Sequence, residues 1–168
     1  MPIGYRSSRA RRVVALLALS VMAVAACGNG GDNSPLSFAV STMDGNKAGS
    51  LADNITGPTV VNLWATWCGP CKREMPDFET VHQQLGSKVR FIGLNEGDTG
   101  TSAAAFVADM GVTYDQLLDQ EVNATAAFSV AGLPATVLIA DGEVVAKHVG
   151  ELSAAELTAL IEDSLLKP

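Results

Sequence analysis

The sequence predicts an α/β fold with a mixed central sheet and helices on both faces of that sheet. Residues 59–64 and 89–94 are β-branched and mostly apolar, as in strands buried within a parallel sheet, and a helix-like segment lies between them. Near the C-terminus, Asp141-Gly142 separates two strand-like runs, and a helix-like segment follows. Parallel strands joined by helices, with an antiparallel pair at the end, form a sheet that helices cover on both sides.

Four further elements precede the hairpin, and turn residues or glycines bound most of them. They are a short strand at 36–40, a helix from just after Cys68 to about Leu85, a helix at 102–110 and a short helix at 122–128. The two longer helices are expected to stop at Gly86 and Gly111, because glycine is the usual residue just past a helix C-terminus.

The C-terminal third carries the clearest local signals. Asp141-Gly142 between the runs 135–140 and 143–150 favours a type I′ hairpin, whose two central residues need positive φ. Ser153 with Glu156 three residues later forms a capping box, which predicts that a helix begins there. The apolar residues of this helix share one face: Leu157, Leu160, Ile161 and Leu165.

Length, composition and charge exclude several classes of protein. The chain has 168 residues, 48% hydrophobic and 17% charged, which fits one folded domain with some additional sequence. A net charge of -7 argues against nucleic-acid binding, which needs a basic surface. Three cysteines are too few for a disulfide scaffold, and no apolar run reaches the ~18 residues of a spanning helix, so a polytopic membrane protein is excluded.

The N-terminus has the layout of a secretory signal. Four arginines precede an apolar stretch, residues 13–26, which only Ser20 interrupts. Small residues then lead into Cys27, which resembles the bacterial lipobox, whose cysteine is acylated and becomes the new N-terminus. We therefore predict a signal peptide at 1–26, a flexible tether at 27–35 after a lipidated Cys27, and a folded domain at 36–168. The alternative is an ordinary signal peptide cut after Ala26, with Cys27 free.

The segment Trp67-Cys68-Gly69-Pro70-Cys71 lies where a buried strand passes into a helix. A thiol at a helix start lies beside unpaired N–H groups and the positive end of the helix dipole, which favour a thiolate and lower its pKa from ~8.5. The second thiol, one turn further along the same face, is close enough to form a disulfide with the first. The pair can therefore exchange with a partner disulfide: Cys68 attacks, and Cys71 resolves the mixed disulfide.

Residues 60–76, VVNLWATWCGPCKREMP, resemble the active-site region of the thioredoxin superfamily. More narrowly, they are similar to the extracytoplasmic, membrane-anchored TlpA/ResA-like proteins. The resemblance implies a thioredoxin fold over 36–168 and thiol–disulfide oxidoreductase activity without a cofactor. It also implies action on disulfide- or dithiol-containing exported proteins, with electrons from a membrane thiol carrier and a role in cytochrome c maturation. The expected location is the extracytoplasmic face of the bacterial membrane, with a lipid on Cys27.

The resemblance extends to residues beyond the two cysteines. Gly132-Leu133-Pro134 matches the loop whose proline is cis and faces the dithiol, and the backbone of Leu133 would pair with the substrate chain. The other predicted substrate contacts immediately flank Cys68: Trp67, Gly69 and Pro70. The alternative for Pro134 is an ordinary proline at the start of a strand.

Two polar positions bear on how the thiols are tuned. Ordinary cytoplasmic thioredoxins carry a buried Asp six residues before the first cysteine, where this chain has Asn62, which cannot accept a proton. In the TlpA/ResA-like branch a glutamate three residues after the second cysteine is thought to tune the thiols, and Glu74 matches it. Partial burial would raise the pKa of Glu74. The alternative is a solvated glutamate that only suits the helix dipole.

Other functions remain open at this point. A disulfide-forming oxidase would use the same residues, and the reduction potential separates it from a reductase: about −120 mV for DsbA against about −270 mV for thioredoxin. A thiol peroxidase is disfavoured, because Thr66 is two residues before Cys68 and peroxiredoxins need three. A redox-gated chaperone or a copper-handling module is a third hypothesis. We predict no metal site, no nucleic-acid partner and a monomer, and we expect the acids Asp115, Asp119, Glu121, Glu151 and Glu156 on a solvated surface.

Overall fold

A computed structural model describes residues 1–4 and 34–167 of the chain. The predicted lipidation site, Cys27, and most of the predicted signal peptide and tether lie outside these residues. Within the described residues, no helix is both long enough and apolar enough to cross a membrane.

Seven strands and four helices follow one another between residues 34 and 167. The strands are β1 Ala39–Ser41, β2 Lys47–Ser50, β3 Thr59–Trp64, β4 Arg90–Glu96, β5 Asp115–Asp119, β6 Ala135–Ala140 and β7 Glu143–Val149. The helices are α1 Gly69–Leu85, α2 Gly100–Met110, α3 Ala124–Ala127 and α4 Ala154–Ile161, with a 3₁₀ turn at Ala52–Asn54 and a π-helical turn at Glu162–Leu166.

In this part of the chain the strands form one mixed sheet in the order β2-β1-β5-β4-β3-β6-β7. The central strands β3, β4 and β5 are parallel, and the outer pairs are antiparallel. The carboxyl ends of the parallel strands therefore lie at one edge of the sheet, and the loops that follow them meet there. We call this edge, which includes the junction of β3 and α1, the active-site end.

The core lies on both faces of the sheet, because side chains alternate along each central strand. Val60 and Phe91 pack with α1 and α4, whereas their neighbours Val61 and Ile92 pack on the other face, which α3 covers. The predicted α/β fold with helices on both faces is confirmed.

Most predicted elements are confirmed, and the differences have physical causes. The predicted strand at 36–40 begins only at Ala39, since the residues before it form a turn in which Ser37 N–H bonds to Ser34 O. β2 and β5 were not predicted because their polar sequences, KAGS and DQLLD, lack the apolar patterns of strands. Their partners β1 and β4 supply the hydrogen bonds that make them strands.

Candidate active site

The two cysteines lie at the junction of β3 and α1. Cys68 is the N-cap residue of α1, with φ −84° and ψ 101°, and its sulfur accepts a hydrogen bond from the Cys71 N–H at 3.2 Å. The two residues form a disulfide, with their Cα atoms 5.3 Å apart. Cys68 is 5% exposed and Cys71 is fully buried, so an incoming group meets the Cys68 sulfur first.

The residues around Cys68 differ in exposure. Trp67 is 72% exposed, Gly69 is exposed, and Pro70, in the first turn of α1, is half-buried. Proline is tolerated there because the first N–H groups of a helix have no partner within the helix. All three residues next to Cys68 are therefore at least partly open to solvent.

The loop before β6 lies beside the same core cluster. The Leu133–Pro134 peptide bond is cis, and the Pro134 carbonyl accepts the Gly150 N–H at 2.9 Å. Leu133 is half-buried and packs against the core cluster that contains both cysteines. The structure thus places this loop at the active-site end, as the sequence resemblance implies.

Glu74 is fully buried, one helical turn after Cys71. Its carboxylate accepts hydrogen bonds from Asn62 Nδ2 at 2.7 Å and from the Leu152 N–H at 3.2 Å. Burial raises the pKa of Glu74 from 4.5 to about 7, because two neutral donors only partly replace water, and nearby Glu151 adds to the rise. The alternative of a solvated first-turn glutamate is wrong, since this side chain faces the core between β3 and the loop before α4.

The hydrogen bond to Glu74 holds the Asn62 side chain in place. It is a buried residue of β3, and its amide N–H faces the Glu74 carboxylate. Within the described residues, nothing donates to its Oδ1 atom. Asn62 therefore donates a hydrogen bond to the buried Glu74 carboxylate, and it does not accept a proton from Cys71.

Sequence reasoning missed Asp98, which holds the turn before Cys68. Its carboxylate accepts the Thr66 N–H and the Thr66 hydroxyl, both at 2.7 Å, and the Asn95 side-chain amide at 2.8 Å. These bonds lower the pKa of Asp98 against the opposing effect of its desolvation, so it is ionised at neutral pH. The sequence signal was the position of residues 95–98 after a parallel strand, but only the fold shows which loop faces them.

Two further carboxylates hold α3, the short helix before the cis-proline loop. Asp119 accepts the Ala124 N–H at 2.7 Å, and Glu96 accepts the Thr125 N–H at 2.8 Å. Both acids are buried, and they are register neighbours on β4 and β5. The expectation that Asp119 lies on a solvated surface is therefore wrong: it occupies the N-terminus of a helix, where unpaired N–H groups favour a carboxylate.

An ion pair joins α1 to the loop before α4. Arg73 and Glu151 approach to 2.6 Å, with side chains 62% and 37% exposed.

In residues 1–4 and 34–167, no group of three or more His, Cys, Asp or Glu side chains is arranged to hold a metal ion.

Residues 31–148 match the AhpC/TSA family. The chain belongs to that family. It is 30% identical over 127 residues to the thiol-disulfide oxidoreductase ResA of Bacillus cereus, a match that covers 74% of this chain and 73% of that protein. It is 31% identical over 110 residues to ResA of Halalkalibacterium halodurans, of which it covers 61%.

Solved structures show the same relationship. MTB DsbF, solved in mixed oxidized and reduced forms, superposes with a TM-score of 0.68 at 28% identity, over 77% of this chain and 96% of that one. A DsbF homologue from Corynebacterium diphtheriae superposes with a TM-score of 0.65 at 29% identity, over 77% and 85%. With the Cys68–Cys71 disulfide at the start of α1, this family member is a thiol–disulfide oxidoreductase with a thioredoxin fold.

Proposed function

We propose that this oxidoreductase works outside the cytoplasm and reduces disulfides in exported proteins. The observation that carries the proposal is the asymmetry of the Cys68–Cys71 pair, in which the sulfur at the helix N-terminus is slightly exposed and the other is fully buried. Such an arrangement suits attack by the first sulfur and resolution by the second.

The proposed reaction starts from the reduced pair. The Cys68 thiolate attacks a substrate disulfide, which forms a mixed disulfide and releases one substrate thiolate that takes up a proton. The Cys71 thiolate then attacks Cys68, releases the second substrate thiolate and closes the Cys68–Cys71 bond. Two electrons and two protons have then passed to the substrate, and a membrane thiol carrier, an external dithiol, would restore the enzyme pair.

Glu74 is proposed to assist the Cys71 step. With a pKa of about 7, its carboxylate exchanges a proton near neutral pH, and it follows Cys71 by one turn of α1. Ionised Glu74 would take up the proton of the Cys71 thiol, and protonated Glu74 would return it. Trp67, Gly69, Pro70, Leu133 and Pro134 are proposed to contact the substrate, with the Leu133 backbone pairing with its chain.

Export and anchoring are proposed from the sequence. The basic and apolar segment at 1–26 is typical of a secretory signal, and Cys27 follows small residues as in a lipobox. The wild type is expected to incorporate a labelled fatty acid in cells, and Cys27→Ser is expected to incorporate none. If the wild type takes up no label, the lipid anchor is wrong.

The central experiment follows trapped intermediates and turnover together. Cys71→Ser should accumulate covalent adducts with exported proteins, whereas Cys68→Ser should form none, and both should lose turnover of insulin. Apocytochrome c is the first natural substrate to test. A Cys68–Cys71 potential near thioredoxin's ~−270 mV is expected, and one near ~−120 mV would instead show a disulfide-forming enzyme.

A further inference from the structure

Val122, in the loop between β5 and α3, has an unfavourable backbone conformation. Its φ is 56°, in the left-handed region, where a β-branched side chain is a rare outlier. Ser129 and Asp141 also have positive φ among the described non-glycine residues, but neither is β-branched. Asparagine or glycine would suit the backbone of this turn better than valine does.

Neighbouring groups hold the turn in place. The Val122 N–H donates to the Asp119 carbonyl at 3.3 Å, and the Asp119 carboxylate is bound to the Ala124 N–H. The Val122 side chain does not fix the turn by burial, because it is 47% exposed. It lies over Gly97, where an added Cβ would be 3.3 Å from a Val122 methyl group. Strain of this kind persists where the surrounding structure enforces it, and it concentrates at functional sites.

The distribution of exposed apolar side chains suggests what Val122 does. Between residues 34 and 167, four large apolar side chains are strongly exposed: Trp67, Val122, Val145 and Val149. Trp67 precedes Cys68, and Val149 pairs with Ala135, the residue after the cis-proline. Only Val145, also 47% exposed, lies towards the hairpin turn and away from the disulfide.

A short series of contacts joins Val122 to the turn that carries the nucleophile. Val122 covers Gly97, and the next residue, Asp98, binds the Thr66 N–H at 2.7 Å. Thr66 is two residues before Cys68. Val122 therefore lies against the loop whose Asp98 holds the turn before Cys68.

We propose that Val122 is part of the docking surface for the protein substrate, and that it contacts an apolar side chain close in sequence to the substrate's disulfide. This inference rests on the proposed reduction of protein disulfides at Cys68. The occupant is an extended segment of that substrate, because its backbone must pass over Cys68 for exchange to occur, and Val122 covers the residue before Asp98, which holds the turn leading to Cys68.

The test measures stability and kinetics on two kinds of substrate. Val122→Asn relieves the backbone strain and removes the apolar contact, so its Tm should rise by about 3 °C while its KM for insulin rises by about fivefold. Val122→Thr keeps the branched shape, so its Tm should stay unchanged while its KM for insulin rises by about threefold. Turnover of a small disulfide, oxidised glutathione, should be unchanged in both, because it does not reach Val122.

Val145→Thr is the matched control, since it alters an equally exposed valine away from the disulfide and should leave the KM for insulin unchanged. The inference is overturned if Val122→Asn gains stability with an unchanged KM for insulin, or if it loses stability, which would show that the valine serves packing. Val122→Gly replaces Val122→Asn if the latter fails to fold. If the wild type and every variant were inactive on insulin while Val122→Asn still gained stability, the proposed function would be wrong and the docking role with it.

Discussion

The two ends of the sheet differ in the main interactions that hold them together. At the active-site end, several buried or half-buried carboxylates bind backbone N–H groups of neighbouring loops: Asp98 to Thr66, Asp119 to Ala124 and Glu74 to Leu152. At the opposite end, three aromatic rings pack together, with ring centroids 5.3 Å apart for His82 and Phe91 and 5.7 Å apart for His82 and Tyr114. The Arg90–Asp115 ion pair lies there too, beside an open cleft of about 500 Å³.

The difference follows from what each end has to do. Loops around the disulfide must keep their positions while they leave Cys68 and several apolar side chains open to a protein substrate. Directional hydrogen bonds to carboxylates fix backbone positions without covering the surface, and they are strong because the acceptor is charged. The opposite end binds no substrate in the proposed function, so burial of aromatic surface can stabilise it directly.

The largest loss of stability is expected from the aromatic end. Phe91→Ala removes a buried ring that contacts His82 and Tyr114, and it should lower the free energy of unfolding by about 3–5 kcal/mol. The kcat for insulin per folded molecule should not change, because the ring lies at the far end of β4. Urea unfolding and turnover well below the midpoint check both parts. A large fall in kcat with folded protein would show that the two ends are coupled.

A smaller and pH-dependent effect is expected from Glu74. Because its pKa rises from 4.5 to about 7 on folding, the ionised form is disfavoured in the folded state. The stability of the wild type relative to Glu74→Gln should therefore be highest below pH 4.5, fall as pH rises to about 7, and then stay level, with a total change of at most about 3 kcal/mol. Urea unfolding between pH 4 and 8 measures it.

Glu79, on the same helix, is the matched control for that experiment. Desolvation of Glu79 is outweighed by its hydrogen bonds from Thr113, which lower its pKa. Glu79 should therefore contribute stability above its unfolded pKa, and this contribution should fall as pH falls, the opposite sign to Glu74. A Glu74→Gln difference that does not vary with pH would show that the carboxylate is not desolvated.

Asp98 tests the anchoring of the nucleophile turn. Asp98→Ala leaves the donors of the half-buried Thr66 and the buried Asn95 without their acceptor, and it should cost about 1–3 kcal/mol of stability. Because the turn that presents Cys68 loosens, kcat/KM for insulin should fall by about tenfold and the rate of Cys68 alkylation by iodoacetamide should change. Asp98→Glu, which keeps the charge, should recover part of the activity. Unchanged alkylation and turnover would limit Asp98 to a stabilising role.

The smallest effect is expected from the surface ion pair at the opposite end. Asp115→Ala breaks its 2.8 Å contact with Arg90, but the Asp115 side chain is 64% exposed and that of Arg90 33%, so stability should fall by less than about 1 kcal/mol. Insulin turnover should equal that of the wild type. A loss as large as that of Asp98→Ala would contradict the contrast between the two ends.

The elements that the sequence predicted correctly are those whose signals lie within a few residues of one another, whereas the missed strand β5 depends on residues far apart in the chain. α1 begins directly after Cys68 and ends at Leu85, and the Ser153–Glu156 capping box opens α4, because these signals act within a few residues. β5 was not predicted because its sequence, DQLLD, lacks the apolar pattern of a strand, and its strand hydrogen bonds come from β4, more than 20 residues earlier in the chain. The same applies to the candidate site: the dithiol was visible as a motif, but the partners of Glu74 and Asp98 were not.

The order of the main helices and strands, and the position of a dithiol at a helix start, can be read from the amino-acid sequence. Both follow from local patterns: apolar periodicity, caps, turn residues and the spacing of two cysteines. The folded chain was needed to show that Glu74 is desolvated, that Asp98 holds the turn before Cys68 and that Val122 covers Gly97 beside Asp98. These features depend on which loops lie together at the carboxyl ends of β3, β4 and β5. The loops are brought together by packing and by hydrogen bonds between residues 30 or more positions apart in the chain.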